Sequence, residues 1–432
     1  MRKQLTLASI IVAIFLWSEA QAGGFYIHEQ SARGLGRAFA GGAAEGGDAA
    51  SLWFNPALST DIERPTATGA LSGIFISADL ENEGTTLATP FSGGAPVPVA
   101  GGFGGTPIDS AAVPQAAFVY PIGRWRLGFN LNAPFGLVSA YDQGYFGRYD
   151  SLRTELLTLN AQLSLAYQVT PALSIGVGAN GQYANAVLES AVPGVLPGAP
   201  DGFLQVVGDD LSPSFNLGVA YKPRPDLRVG ASYRHTVSHR LTGSAKLLGL
   251  SGPLAAANFS TEVGAADLNL PGIGMLGVAY DLNDKLTLMA QGTYFNWSVF
   301  REIRVESPEA PELVTELNYK DTINAQAGIE YRLKPDWTLR AGFMFDPTPT
   351  RPGFRTTRVP DNTRYWGTLG ASWSPQPHLS LDASVAFVSL REGVIDRSGT
   401  FFAGAPFASQ QNLNASIDGN GFIASIGGSY RF

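Results

Sequence analysis

Cysteine is absent from the 432 residues, and only 15% of them are charged. The first absence excludes disulfides and the acylated cysteine that would anchor a lipoprotein. The second, with a net charge of −7, leaves none of the clustered Lys and Arg that phosphate binding needs, so no nucleic-acid partner is expected. Long apolar runs are missing as well. After Gly23 every apolar stretch is broken by glycine or a polar side chain well before about 18 positions, which excludes a helical membrane protein. The one earlier run, 5–17, follows Arg2 and Lys3 and closes on Ala20-Gln21-Ala22. It falls short of the roughly 20 residues of a spanning helix and has the form of a cleavable signal peptide, predicted over 1–22 with the mature chain starting at Gly23.

What the sequence does contain is alternation. Over 159–169, Leu159, Ala161, Leu163, Leu165, Tyr167 and Val169 fall on one face of a strand, and Asn160, Gln162, Ser164 and Gln168 on the other. The period recurs at 125–131, 173–183, 227–233, 276–282, 286–294, 327–333, 337–345, 365–373 and 422–432. A soluble sandwich would alternate too, so the connections decide. From Thr66 about fourteen strands can be placed, joined alternately by very short and by long segments, as in membrane barrels. The short ones, such as Thr170-Pro171-Ala172, Asn283-Asp284 and Lys334-Pro335-Asp336, are made of turn residues. The long ones run over 80–114, 134–153, 189–213, 243–270, 300–320, 346–362 and 391–418. Tyr and Trp near the short turns, Trp125, Tyr167, Trp337 and Tyr430 among them, suit a headgroup boundary. The expected fold is all-β: a transmembrane antiparallel β-barrel over 66–432, in a bacterial outer membrane and in contact with its lipids and lipopolysaccharide. Residues 23–65 lack period two and are rich in Gly and Ala. A tethered segment this apolar is expected to fold inside the barrel as a plug, because exposed apolar patches are costly.

Several blocks, in order, resemble the FadL-type long-chain fatty acid transporters. Ser31-Ala32-Arg33-Gly34-Leu35-Gly36-Arg37-Ala38, Gly46-Gly47-Asp48-Ala49-Ala50 and Asn55-Pro56-Ala57 look like the N-terminal hatch of that family. Asn132-Ala133-Pro134-Phe135-Gly136-Leu137, Leu268-Asn269-Leu270-Pro271, Tyr294-Phe295-Asn296-Trp297-Ser298 and the stretch from Val359 to Trp366 match further on. The resemblance implies a fourteen-stranded barrel, a monomer without cofactor, and passive transport of hydrophobic small molecules gated by the hatch. It assigns gating to Gly23, Phe25, Asn55, Pro56 and Ala57, and a lateral exit to a strand-three kink at Pro134, Phe135 and Gly136. Proline lacks the ladder N–H and glycine weakens a strand, so Pro134 and Gly136 can interrupt pairing; an ordinary strand end is the alternative. Of the basic groups that hold a carboxylate in the family, Lys320 is retained, whereas Asn185 stands where arginine is expected. Losing one cation weakens the case for an anionic ligand and raises that for uncharged hydrocarbons, which toluene-importing members carry.

Two readings of the outer loops stay open: the apolar stretches 192–207 and 247–259 either form a collecting groove or pack on one another. Four histidines are present, and His235 and His239 are expected on the lipid-directed face of Tyr233, with no convergent metal or triad partners. An enzyme is therefore not expected. The rival functions are a general aqueous porin and, less favoured, an outer-membrane lipid hydrolase.

Overall fold

The computed structural model describes residues 24–105, 110–196, 198–308 and 310–432, so the expected signal peptide and Gly23 lie outside the described residues. The alternating segments form a closed barrel of 14 antiparallel strands. It starts with β1 (Thr66–Asn82) and β2 (Ala111–Ile122), then β3, which is Trp125–Asn132 resuming as Gly136–Ala140. Next come β4 (Arg153–Gln168), β5 (Leu173–Val192) and β6 (Gly202–Arg224). The following four are each broken once: β7 (Leu227–Arg234, Val237–Leu248), β8 (Phe259–Leu270, Ile273–Asp281), β9 (Leu286–Phe295, Glu302–Ser307) and β10 (Ala310–Glu316, Thr322–Lys334). The wall ends with β11 (Trp337–Asp346), β12 (Arg364–Gln376), β13 (Leu379–Phe401) and β14 (Ser409–Arg431). Closure is by β1 on β14, from Thr66↔Arg431 to Asn82↔Ala415.

The apolar phase of the alternation faces outward. Leu163, Leu276, Leu369 and Ile426 are more than 60% exposed, while their strand neighbours Gln162, Met275, Thr368 and Ser425 are buried inside the ring. A sandwich would bury the first set; a barrel in lipid presents it. Aromatics bracket this band: Phe75, Phe422, Phe387 and Tyr365 at one level, Tyr430, Trp337, Trp373 and Trp125 at the other, all among the exposed apolar side chains. On β14 Tyr430 lies eight positions after Phe422. That is roughly 27 Å of strand at ~3.4 Å per residue, or roughly 20 Å of membrane after a tilt of about 40°.

Past the upper aromatics the strands continue well beyond their expected ends. The expected loop 391–418 shrinks to the turn between Phe401 and Ser409, and 189–213 to the nine residues between Val192 and Gly202. Above the membrane the outer face meets water, so Asp396, Ser398, Asn412 and Asp418 replace the apolar phase and the period-two signal fades. The apolar loops bury one another: Val192, Val195, Leu247, Leu250 and Leu254 form one cluster with Phe259, Phe402 and Phe407 packed against it.

One expectation is corrected. His239 does not share the outward face of Tyr233; it is 2% exposed, inside the barrel, with Nδ1 2.9 Å from Asp210 and Nε2 3.2 Å from Gln182. Arg234 pairs with Asn216 and Thr242 with Asp209, so β7 carries one residue more than β6 across that interval. The extra residue, at the break after Arg234, flips the parity of the strand beyond it. His235, at the break, stacks outward on Phe215 at 4.8 Å.

Residues 24–65 form only short turns: α1 (Ala32–Leu35), α2 (Ser51–Phe54) and a 3-10 helix (Pro56–Asp61). Ser31 caps α1 by accepting from the Gly34 amide, and Asn55 caps the 3-10 helix by accepting from the Ala57 amide. Hydrogen bonds tie this segment to strands on opposite sides of the ring. Ser384 of β13 donates to Ala32 O at 2.7 Å, Gln162 of β4 to Leu52 O at 3.2 Å and Ser232 of β7 to Phe54 O at 2.6 Å; Ala49 N donates to Thr68 of β1 at 3.1 Å.

Candidate functional site

The break in β3 spans Ala133, Pro134 and Phe135. On one side of it the ladder to β2 stops: the last pair is Ala116↔Leu131, and Ala111–Gln115 of β2 pair only with β1. On the other side β3 resumes against β4 alone, from Gly136↔Leu157 to Ala140↔Arg153. The wall is therefore unpaired between β2 and β3 along this stretch. The Gln115 side chain is buried there, and its amide has no hydrogen-bond partner among the described residues.

The first described residues occupy the freed backbone groups of the break. Ile27 N donates to Pro134 O at 2.8 Å and Gly136 N to Phe25 O at 3.0 Å, with Tyr26 and Phe135 in an antiparallel bridge. Gln30 braces the turn, donating to Ala133 O at 2.9 Å and accepting from Asn132 at 2.8 Å. Aromatic packing holds the segment in place, with Phe25 edge-on to Trp297 at 4.9 Å and to Phe300 at 5.2 Å. Gly24 has a positive φ of 63°, and a Cβ on it would lie 2.9 Å from the Trp297 ring, so only glycine fits. Phe25, Pro134, Phe135 and Gly136, separated by about a hundred positions in the chain, are thus brought together.

Above Phe25 a cavity opens inside the barrel. Its wall is apolar, with Leu156, Leu188, Val206, Leu241 and Leu268 from β4 to β8, and Val359 from the loop between β11 and β12. Glu155 and Asp267 also line it, but their carboxylates are engaged by Arg153 and Arg240. The guanidinium at the cavity belongs to Arg358, whose Nη1 donates to Thr154 Oγ1 at 3.3 Å. Burial pushes this guanidinium below its ordinary pKa, with Asp150 and Tyr145 acting against that shift. Asp150 itself accepts from the Thr357 amide at 2.6 Å and the Thr357 hydroxyl at 2.7 Å, which fixes the loop beside Arg358. A lone, half-buried guanidinium in an apolar chamber can take one carboxylate.

The other expected site residues lie elsewhere. Asn55, Pro56 and Ala57 pack low in the barrel; Asn55 Nδ2 donates to Ala43 O at 2.7 Å and Val219 O at 3.0 Å. Gly176 and Gly218, paired across β5 and β6, make room for them: a Cβ on Gly176 would lie 2.6 Å from Ala57 N, and one on Gly218 would run into Asn55. Asn185 is on the β5 face opposite Ala184 and Ala186, of which Ala186 lines the cavity, and so points away from it. Lys320 is exposed, with its amide bonded to Pro349 O at 3.0 Å, and does not line the cavity either. That Arg358 lines the cavity is not legible in the sequence, because a loop arginine has no period to place it; its adjacency to the block beginning at Val359 is the one available signal.

The family model for outer membrane transport proteins, described as OMPP1/FadL/TodX, matches residues 13–432. The long-chain fatty acid transport protein of Escherichia coli K12 is 27% identical over 421 residues, covering 89% of this chain and 92% of that protein. Outer membrane protein P1 of Haemophilus influenzae is 28% identical over 403 residues, covering 85% and 86%. Among solved structures, a Pseudomonas aeruginosa FadL homologue superposes with a TM-score of 0.84 at 24% identity, over 95% of this chain and 100% of that one. The Ralstonia pickettii toluene transporter TbuX does so with 0.62 at 21% identity, over 92% and 98%. A barrel with its apolar face outward, and a family match over nearly its whole length, make this chain a member of the OMPP1/FadL/TodX family of outer membrane transport proteins.

Proposed function

We propose that the protein carries small hydrophobic molecules across the outer membrane by passive diffusion, with apolar acids such as long-chain fatty acids as its principal ligands. The observation that carries this reading is the apolar cavity whose floor is Phe25, beside the unpaired stretch between β2 and β3. Ligand enters from the loops, rests in the cavity with its carboxylate on Arg358, displaces the segment around Phe25 and leaves sideways past Pro134 and Gly136. Residues 24–65 act as the hatch and 66–432 as the barrel. The carboxylate contact is assigned to Arg358 rather than to Asn185 or Lys320. Relatives named as fatty acid and as toluene transporters support the two ligand classes, and the guanidinium favours the first.

The test is uptake of labelled oleate and toluene by cells that lack other such transporters. Gly136→Arg, which fills the exit, should abolish uptake of both. Arg358→Met should lower oleate uptake about tenfold or more, the scale of one charge-assisted hydrogen bond, and leave toluene unchanged. Uptake of neither ligand, with normal permeation of small sugars, would replace this reading by a porin.

A further inference from the structure

Behind the loop between β11 and β12 lies a second, smaller cavity. The loop divides the two chambers: Arg358 and Val359 line the large one, Pro360 and Asp361 the small one. The small chamber has apolar walls, with Ile76 from β1, Val388 and Leu390 from β13 and Ile423 from β14. Gly421 gives it room, since a Cβ there would reach to 3.4 Å from Val388 and 3.5 Å from Ile76.

One corner is polar, made by Asp361, Arg364 and Trp366. Arg364 is already committed: its Nη2 and Nε hold Asp346 at 2.6 Å and 3.1 Å, and its Nη1 lies 3.7 Å from Asp361 Oδ1. Asp361 Oδ2 accepts from Gly24 N at 3.1 Å and from the Thr348 hydroxyl at 2.5 Å, and among the described residues Oδ1 has the longer Arg364 contact. Trp366 is 1% exposed, and its indole N–H has no acceptor among the described residues. A buried N–H left unpaired is uncommon and costly, and Trp366 lines the cavity, so an acceptor on a molecule bound there would satisfy it.

We propose that the small chamber is a second binding site, for a neutral apolar molecule carrying a single hydroxyl, such as a phenol. Its hydroxyl oxygen accepts from the Trp366 indole and its hydroxyl proton goes to the Asp361 carboxylate, while the ring fills the space between Ile76, Val388 and Ile423. A carboxylate does not suit this corner, where it would stand beside the carboxylates of Asp346 and Asp361, to which Arg364 is already committed. A bare hydrocarbon fits the walls but leaves the indole N–H unpaired. The two chambers therefore select by opposite chemistry, acids at Arg358 and neutral hydroxyl compounds at Asp361 and Trp366. Because Asp361 also holds Gly24, the small site touches the same segment that floors the large one.

The experiment soaks 4-bromophenol, 4-bromotoluene and 4-bromobenzoate separately into crystals of the mature protein, locates bromine by anomalous scattering, and titrates each compound calorimetrically in detergent. A bromine peak between β1, β12, β13 and β14 is expected for the phenol and not for the benzoate, with the phenol bound about tenfold more tightly than the toluene. Trp366→Phe should bring the phenol down to the toluene's affinity and leave the toluene unchanged. A phenol peak confined to the large cavity, equal affinities for phenol and toluene, or no effect of Trp366→Phe would each overturn the proposal. Should the variant fail to fold, the peak position and the affinity ratio on the unaltered chain still decide.

Discussion

Glu29 brings a carboxylate into the barrel at 1% exposure, with no close hydrogen-bond partner for either oxygen among the described residues. Burial pushes its pKa up to about 7, while the nearby backbone amides of Glu29 and His28 and the charge of Arg364 pull the other way. The docked segment therefore holds the proton more tightly than a released one does. Its stabilisation is complete in acid, below the ordinary carboxylate range, and is lost as pH rises through about 7. The interval corresponds to roughly 3 kcal/mol. Amide hydrogens of residues 24–31 should thus be less protected at pH 8 than at pH 6, and Glu29→Gln should remove the difference. Equal protection in the unaltered chain at both values would mean that Glu29 does not control the docking. Residue chemistry was only partly legible in the chain. Gly24, Pro134 and Gly136 are special in any backbone, but the charge that faces the cavity is set by where a loop folds, which is why Arg358, and neither Asn185 nor Lys320, lines it.

Five of the fourteen strands are interrupted, and the interruptions do different work. In β7 the extra residue at the break turns His239 inward, which no reading of alternation alone could foresee because a single slip inverts every later position. In β3 the break releases backbone groups that the residues after Gly24 then bind. Since the chain contains no cysteine, this contact can be locked without side reactions. Tyr26→Cys with Phe135→Cys, placed across the antiparallel bridge, should form a disulfide on oxidation. Oleate uptake should stop in the oxidised form and return on reduction. Uptake that is indifferent to the cross-link would show that the segment does not move from the kink during transport.

At the scale of the molecule, the lumen below the cavity is filled by residues 24–65, pressed against bare glycine backbone at Gly176, Gly218, Gly230 and Gly342. Planar bilayers should accordingly show little steady conductance for the intact protein, and removal of residues 24–65 should open a stable ohmic pore. A large steady conductance with the segment present would contradict its proposed role as a hatch. Alternation, turn chemistry and the absence of a long apolar run were enough to establish a membrane barrel, because lipid on one side and polar side chains on the other impose period two on every spanning strand. The strands beyond the upper aromatic belt were not legible, since with water outside them no apolar phase remains to mark their length. Tertiary structure alone decided which loop guanidinium meets the large cavity, that the apolar outer loops cover one another, and that a second chamber lies behind Pro360. Each of these depends on groups distant in the chain being carried to one place by closure of the barrel, which no local period encodes.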